Sequence, residues 1–547
     1  MNSNAIKIKK GLSIGESCAE DDAHYLSQCF IDKYELTRIL DLNNNSSIIL
    51  GRTGAGKTAV LEKIKTDSNL KVRNLDPSTL FFQHVSNSKT FDFFLALGAN
   101  LDVIFALLWK HVLLVESLKL YFESQNAFER KLNVFSQEAK SLQKYLKEWG
   151  NKFWEDTEIS VQEVISNIEN NLSLKAGISI DETKLGAEGA GKYTLQEKTV
   201  IRNNILSAVN TPLASLLHKA IEDLNHVTEN KNSSFYILID ELDDNWMVSD
   251  FKFRLIRALL STIRKFRKIR RLKVLVAMRN DLYERTIAET ADAGFQSEKH
   301  KGLIEELTWD KEELFQLVDK RIAKLFKWQY TKSSVTFSDM FPAKFRNIDT
   351  FQYLIDRTLM RPRDLIELIN HILKRAAGGS LKFGNEKIQI SAKKISEAEN
   401  AYSIERKQAV VDEWANIHPQ LNLYIDLLTS LKENFDFENQ SINEKIDDLA
   451  INLSEDTGIE PKDRAHQAAK KFLDHDTAHH KNKVKQEVFS ILYKVGVISI
   501  KLTKNSGYQS STTNKVVLSP ETISLSTKFK IHPMFWRALG ITPNIGK

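Results

Sequence analysis

Only two cysteines, Cys18 and Cys29, occur in 547 residues. That excludes a disulfide framework, argues against a thiolate metal cluster and fits a reducing cytoplasm. With nine prolines, no long Pro/Gly stretch and no internal repeat, the three or four domains that this length implies are expected to pack on one another. The opening MNSNAIKIKKGLS lacks the apolar core of a signal peptide. Charge of one sign is in modest excess, a net +6 that permits an acidic partner without demanding one. The apolar stretch FFLALGANLDVIFALLWKHVLLV (93–115) is interrupted by Asp102, Lys110 and His111. No uncharged run there reaches the roughly 18 residues of a membrane span. A pair of buried core helices is expected instead, and no membrane partner.

What is present begins at SSIILGRTGAGKTAV, residues 46–60. Gly51, Gly54, Gly56, Lys57 and Thr58 fit G-x-x-x-x-G-K-[ST]. Glycine in a loop costs backbone entropy, so three in six residues need a reason. A phosphate supplies one: successive N–H groups turn inward around an anion, and the following helix adds its positive end. The loop residues Gly51, Arg52, Thr53, Gly54, Ala55, Gly56, Lys57, Thr58 and Ala59 are therefore expected to line a nucleotide. Lys57 would reach the β- and γ-phosphates, and the Thr58 hydroxyl would bind Mg²⁺. Ile48-Ile49-Leu50 reads as a buried strand before the loop and TAVLEKIK as an amphipathic helix after it.

Such a loop needs an acidic partner on a neighbouring strand. FYILIDELDD (235–244) supplies five apolar residues and then Asp240 and Glu241, at the strand end where ligands of open α/β sheets bind. Asp240 is the expected Mg²⁺ ligand and Glu241 the expected general base. Asp243 and Asp244 read as caps of the next segment. RLKVLVAMRND (271–281) is a further strand ending in Arg279 and Asn280, where Arg279 either faces a γ-phosphate or is a surface arginine. KVRNL (71–75) and GLIEELTW (302–309) complete five strands of a parallel sheet covered on both faces, and Asp310 is the expected N-cap of the helix that follows. In TLMRPRDLIELINHIL (358–373), Pro362 suits a first helical position between Arg361 and Arg363. Two arginines at a helix start suit a triphosphate or a salt-bridged surface.

Together these pieces resemble the AAA+ superfamily, in its origin-recognition, KAP-related and STAND-like branch of bacterial P-loop ATPases. Residues 45–58 resemble Walker A, 235–241 Walker B, 273–279 the sensor 1 strand, and RPRD at 361–364 the lid motif. The resemblance implies ATP and Mg²⁺ as cofactors and a γ-phosphate contact from Arg279 and from Arg363 or Arg361, with Pro362 packing near the base. It also implies that the leader GESCAEDDAHYLSQCFID (15–32) packs against adenine. One departure is clear: Lys57 and Asp240 lie 183 positions apart, so an insertion must intervene. Its segment from Val115 to Trp149 reads as one or two long helices, and 172–193 as a glycine-rich hairpin.

In the C-terminal part, NKVKQEVFSILYKVGVISIKLTKNSGYQSSTTNKVVLS is a helix, a strand, a polar tip and a second strand, a winged-helix pattern. Lys481, Lys483, Lys485, Lys494 and Lys504 give it a basic side suited to phosphates. The resemblance offers instead a packing role against the ATPase core. RKFRKIRRLK (264–273) is a dense basic run, read as a solvated face or as a nucleic-acid or oligomer contact. The expected fold is thus an α/β P-loop NTPase core with a five-stranded parallel sheet, a large helical insertion, a helical lid and a C-terminal winged-helix-like domain. The expected boundaries are 1–110 for leader and first core segment, 111–200 for the insertion, 201–330 for the second core segment, 331–400 for the lid and 401–547 for the C-terminal domain. The expected activity is ATP hydrolysis used as a molecular switch, a role the resemblance places in bacterial anti-phage defence or DNA transactions. The expected partners are further copies of the chain, a separate effector protein, or nucleic acid through the C-terminal domain. A nucleic-acid-driven motor and a non-hydrolysing scaffold are the rival readings.

Overall fold

The computed structural model describes residues 5–77, 101–127, 136–150, 199, 212–229, 231–243, 249–290, 298–327, 334–382, 388–415, 417–455, 464–475, 477–503, 505–512 and 518–541. They form two compact units, residues 32–308 and residues 1–31 with 309–547.

The 32–308 unit is built on a five-stranded, wholly parallel sheet. In chain order its strands are β1 (Ile48–Gly51), β2 (Lys71–Leu75), β3 (Phe235–Ile239), β4 (Leu272–Arg279) and β5 (Ile304–Glu306), and in space they run β2-β3-β4-β1-β5. The two central strands β3 and β4 are apolar nearly end to end because both of their faces are covered. Lys273 is the exception in β4. Its buried ammonium donates to the carbonyls of Arg38 and Asp41, which close the helix Tyr34–Leu40, and burial pulls its pKa down to about 8. β5 is shorter than the stretch read from sequence, which reached from 302 to 309.

Helix α1 (Lys57–Lys65) follows β1, and α2 (Asp102–Glu123) is a single buried helix that packs on β2 and β3. Where a helix pair was expected over 93–115, the described part is this one helix, and it continues past residue 110, where the core was expected to give way to the insertion. No helix among the described residues is long and apolar enough to cross a membrane. Of the insertion, α3 (Gln137–Tyr145) is described, and it ends in a π-helical turn, Leu146–Gly150. The expected hairpin over 172–193 lies outside the described residues. Helices α4 (Pro212–Glu229), α5 (Ser249–Phe266) and α6 (Asn280–Glu289) complete the unit.

Two histidines are buried here in the neutral form. His111 of α2 stands with its Nδ1 2.6 Å from the Tyr145 hydroxyl of α3, and burial holds its pKa near 4. His300 is pushed down to about 4 by burial and by the charges of Arg264 and Arg257. Each titrates near 6.5 in the unfolded chain. Between the two values the unfolded state binds the extra proton, so stability falls as pH falls from about 6.5 to about 4. Unfolding of the full chain in urea should show an acid loss of about 3 kcal/mol from His111 over that window, and a smaller one from His300, where solvent screens the arginine charges. The slope should flatten in His111→Gln/His300→Gln, and an unchanged slope there would assign the acid loss to other groups.

The second unit joins the leader to the helices that follow the sheet. Helix α7 (Lys311–Phe326) opens with the expected Asp310 N-cap, completed as a capping box by Glu313. Helices α8 (Pro362–Ala376) and α9 (Ala392–Trp414) pack together. The leader is fastened to α7 and α8. Arg321 donates to Asp22 at 2.6 Å and to the Ile14 carbonyl, and Asn370 bonds the backbone on both sides of the Ile14–Gly15 peptide. Gly15 has a φ of +117°, and a side chain there would collide with Arg321 and Asp22. Strand Ala5–Lys7 pairs antiparallel with Ser380–Lys382.

Beyond α9 lie β6 (Asn434–Asp436), α10 (Gln440–Glu455), α11 (Arg464–His475), α12 (Ala478–Lys494), β7 (Ile498–Lys501) and β8 (Lys528–Ile531). The strands form an antiparallel sheet in the order β6-β8-β7. Helix, strand and return strand follow the expected sequence, but the strand that pairs with β7 is 528–531, downstream of the VVLS segment. β6 went unnoticed because three residues carry no usable alternation. The expected basic side is largely consumed within the unit. Lys485 is 1% exposed and donates to Glu438 and Asn443. Lys481 pairs with Asp447, and Lys483 with Glu487 and Glu521. Lys494 lies over the Trp414 ring, and Lys504 is outside the described residues.

Candidate functional site

All five strands run the same way, so the ends of β1, β3 and β4 share one edge of the sheet. Gly51 pairs in register with Arg279, and Ile239, the residue before Asp240, pairs with Val276. β4 lies between the other two strands, which places Arg279 between the glycine loop and the acidic pair.

The loop has the backbone that a phosphate cradle requires. Gly54 and Gly56 take φ of 76° and 93°, in the left-handed region that favours glycine. Gly56 is also the N-cap of α1 and brings no side-chain cap to the start of the helix, an end that favours an anion. A Cβ on Gly51 would stand 3.2 Å from that of Ala55 and 3.4 Å from the Lys57 side chain, so the first loop glycine keeps this turn tight. Lys57 folds back over the loop and donates to the carbonyls of Gly51 and Arg52 at 3.2 and 3.1 Å. Arg52, Thr53 and Ala59 lie half-buried around it, and Ala55 is buried.

The Thr58 hydroxyl donates to the Asp240 carboxylate at 2.9 Å. Thr58 lies in α1 just after β1, and Asp240 directly follows β3. These two strands are not neighbours but are separated by β4, so the bond ties together segments that leave the sheet about 10 Å apart. Burial raises the pKa of Asp240, against the lowering effects of the Glu241 N–H, the Thr58 hydroxyl and the Lys57 charge. A hydroxyl and a desolvated carboxylate side by side are hard oxygen donors suited to Mg²⁺. Glu241 is exposed and has φ of +60°, a left-handed conformation unusual for a residue with a side chain. Its amide donates to Asp240 at 3.0 Å.

Arg279 is gripped rather than free. It donates through Nε and Nη2 to both oxygens of Asp281, each at 2.9 Å, and through Nη1 to Asp243 at 3.5 Å. Nothing in the sequence marks Asp281 as a partner of Arg279, and Asp243 has the pattern of a cap. The sequence shows only an acid two residues past the end of β4 and another four past the end of β3. The Oδ1 atom of Asn280 is buried with no hydrogen-bond partner among the described residues, directly beside Arg279. Asp244 is outside the described residues.

Arg361, Pro362 and Arg363 belong to the other unit, and Pro362 holds the expected first position of α8. Arg361 is 4% exposed and bound by Asp364 at 2.9 Å and Glu413 at 3.0 Å. Burial alone would weaken its charge, but those two carboxylates hold the guanidinium protonated more firmly than usual. Arg363 is half-buried and donates to the Ser17 carbonyl of the leader at 3.2 Å.

Residues 312–411 match the family model of the FunZ-associated C-terminal helical domain. The match covers α8 and nearly all of α7 and α9. Over 98% of its length the chain is 23% identical to an 80.3 kDa protein assigned to transposon gamma-delta of Escherichia coli (strain K12), of which it covers 68%. Among solved structures it aligns with a Walker-type ATPase of Pyrococcus abyssi at 12% identity and TM-score 0.35, covering 93% of this chain and 97% of that one. It aligns also with the Aeropyrum pernix ORC2 protein, solved as ADPNP–ADP complexes, at 11% identity and TM-score 0.35, covering 92% of this chain and 88% of that one.

Proposed function

We propose that this protein is a Mg²⁺-dependent P-loop ATPase whose bound nucleotide works as a switch. The observation that carries the reading is the Thr58–Asp240 hydrogen bond, which joins the end of the glycine loop to the acid after β3. Thr58 and Asp240 would hold Mg²⁺, which supplies charge neutralisation at the β- and γ-phosphates. Lys57, moving off its two loop carbonyls, binds the same phosphates, and the uncapped amides of α1 surround them. Glu241 accepts a proton from the attacking water. Arg279 answers charge on the γ-phosphate once its grip on Asp281 and Asp243 loosens, and Asn280 has an unmade hydrogen bond to offer beside it. Of the lid arginines, Arg363 is the better candidate, because Arg361 is committed to Asp364 and Glu413.

The test is nucleotide binding by a fluorescent ATP analogue. Lys57→Ala should weaken binding about tenfold or more, since a charge-assisted contact to phosphate is worth roughly 1.5–3 kcal/mol. Asp240→Asn should leave binding without metal nearly intact and abolish its strengthening by Mg²⁺. If Mg²⁺ strengthens binding equally in Asp240→Asn, the metal assignment fails.

Placement in the AAA+ and STAND-like branch rests on this pair of motifs together with a helix opening on Arg361-Pro362-Arg363. We assign the C-terminal domain to a winged-helix-like module on the order of strand β6, helices α10 to α12 and the antiparallel strands β7 and β8. The burial of Lys485 and the pairing of Lys481 and Lys483 favour a protein-packing role for it over a phosphate contact. A cytoplasmic setting, self-association or a separate effector, and work in anti-phage defence or DNA transactions belong to the same reading. The likeness to a transposon-assigned protein favours the DNA setting.

A further inference from the structure

Residues 264–273 contain seven lysines and arginines and no acid, and without those seven the formal net charge of +6 would be −1. The chain's positive excess therefore sits in one segment, the last turn of α5 and the link into β4. Because β4 ends at Arg279 and begins at Leu272, the segment occupies the opposite edge of the sheet from the glycine loop, about 25 Å away along the strand.

Three of the seven have local employment. Lys273 is buried against backbone carbonyls, Arg270 pairs with Glu229, and Arg267 donates to Asn45. The remaining four are Arg264, Lys265 and Lys268, which are exposed, and Arg271, which is half-buried. Among the described residues no carboxylate pairs with any of them. Two neighbours register the uncompensated field. Lys110 of α2 has its pKa lowered by burial and by Lys265, and His300 is held neutral partly by Arg264. Like charges this close destabilise a fold unless an anion answers them.

The apolar members of the segment all point inward: Phe266, Ile269 and Leu272 are buried. No aromatic ring is left to stack on an unpaired base, which disfavours single strands. Charge density favours a duplex, which presents one phosphate per about 1.7 Å of axis. We propose that Arg264, Lys265, Lys268 and Arg271 form a docking site for the phosphate backbone of double-stranded DNA, independent of base sequence and remote from the nucleotide loop.

The experiment is fluorescence anisotropy of the full chain with a 30-base-pair duplex of arbitrary sequence, across a range of salt concentration. Neutralising the four (R264Q/K265Q/K268Q/R271Q) should reduce the slope of log affinity against log salt by about 3 to 4, close to 0.9 for each phosphate contact removed. A control with the same charge change on exposed lysines of the other unit (K393Q/K432Q/K470Q/K471Q) should keep the wild-type slope. Thermal unfolding of both variants checks that each is folded. Absence of duplex binding by wild type at low salt overturns the proposal, as does an equal slope in the two variants. A neutralised protein that binds DNA normally but changes its oligomeric state overturns it too, and assigns the surface to a protein contact.

Discussion

Glu241→Gln should retain Mg²⁺-dependent ATP binding and lose turnover by about 10²- to 10⁴-fold, the usual worth of a positioned general base. The replacement keeps the size of the side chain and removes only its ability to take a proton. The backbone at 241 allows a second check, because its φ of +60° costs a residue with a side chain about 1 kcal/mol. Glycine would relieve that cost while adding unfolded-chain entropy of similar size. Glu241→Gly should therefore melt near the wild-type temperature and still be inactive. Wild-type turnover in either variant removes Glu241 from the chemistry.

Arg361→Ala should cost about 3–5 kcal/mol of stability in the leader–helix unit, because it strands Asp364 as a buried charge. Asp364 is fully buried, and its carboxyl, which burial would raise, is held low chiefly by Arg361. Arg406, 3.7 Å from Asp364, is too far to replace the bidentate grip. Arg363→Ala removes one bond to a backbone carbonyl and should cost about 1 kcal/mol. Urea unfolding of the two variants separates them. An Arg361→Ala protein of wild-type stability that binds ATP poorly would reverse the assignment and make Arg361 the phosphate contact.

The legible parts of this molecule are those whose partners are near in sequence or whose burial follows a simple period. The glycine loop is local. β3 and β4 are read from unbroken apolar runs, and Asp310 and Pro362 from the chemistry of helix starts. The Thr58–Asp240 pair was legible across 182 positions because a loop of this type calls for one particular kind of partner. What escaped depends on which way a side chain turns. Lys481, Lys483 and Lys485 read as one basic side, yet residues two apart on a helix lie on opposite faces, and Lys485 points into the unit. Glu413 lies 52 positions from Arg361, with no pattern to announce it. Asp281 carries no distinguishing pattern, because an acid in the first turn of a helix is ordinary.

The pairing of Ala5–Lys7 with Ser380–Lys382 also sets an order of events during synthesis. The first strand leaves the ribosome some 370 residues ahead of its partner, a delay of about 20–75 s at ordinary elongation rates. All of 32–308 emerges within that interval. The sheet and its nucleotide loop can be complete while the leader still waits, so ATP could meet a finished loop before the unit carrying Arg363 exists.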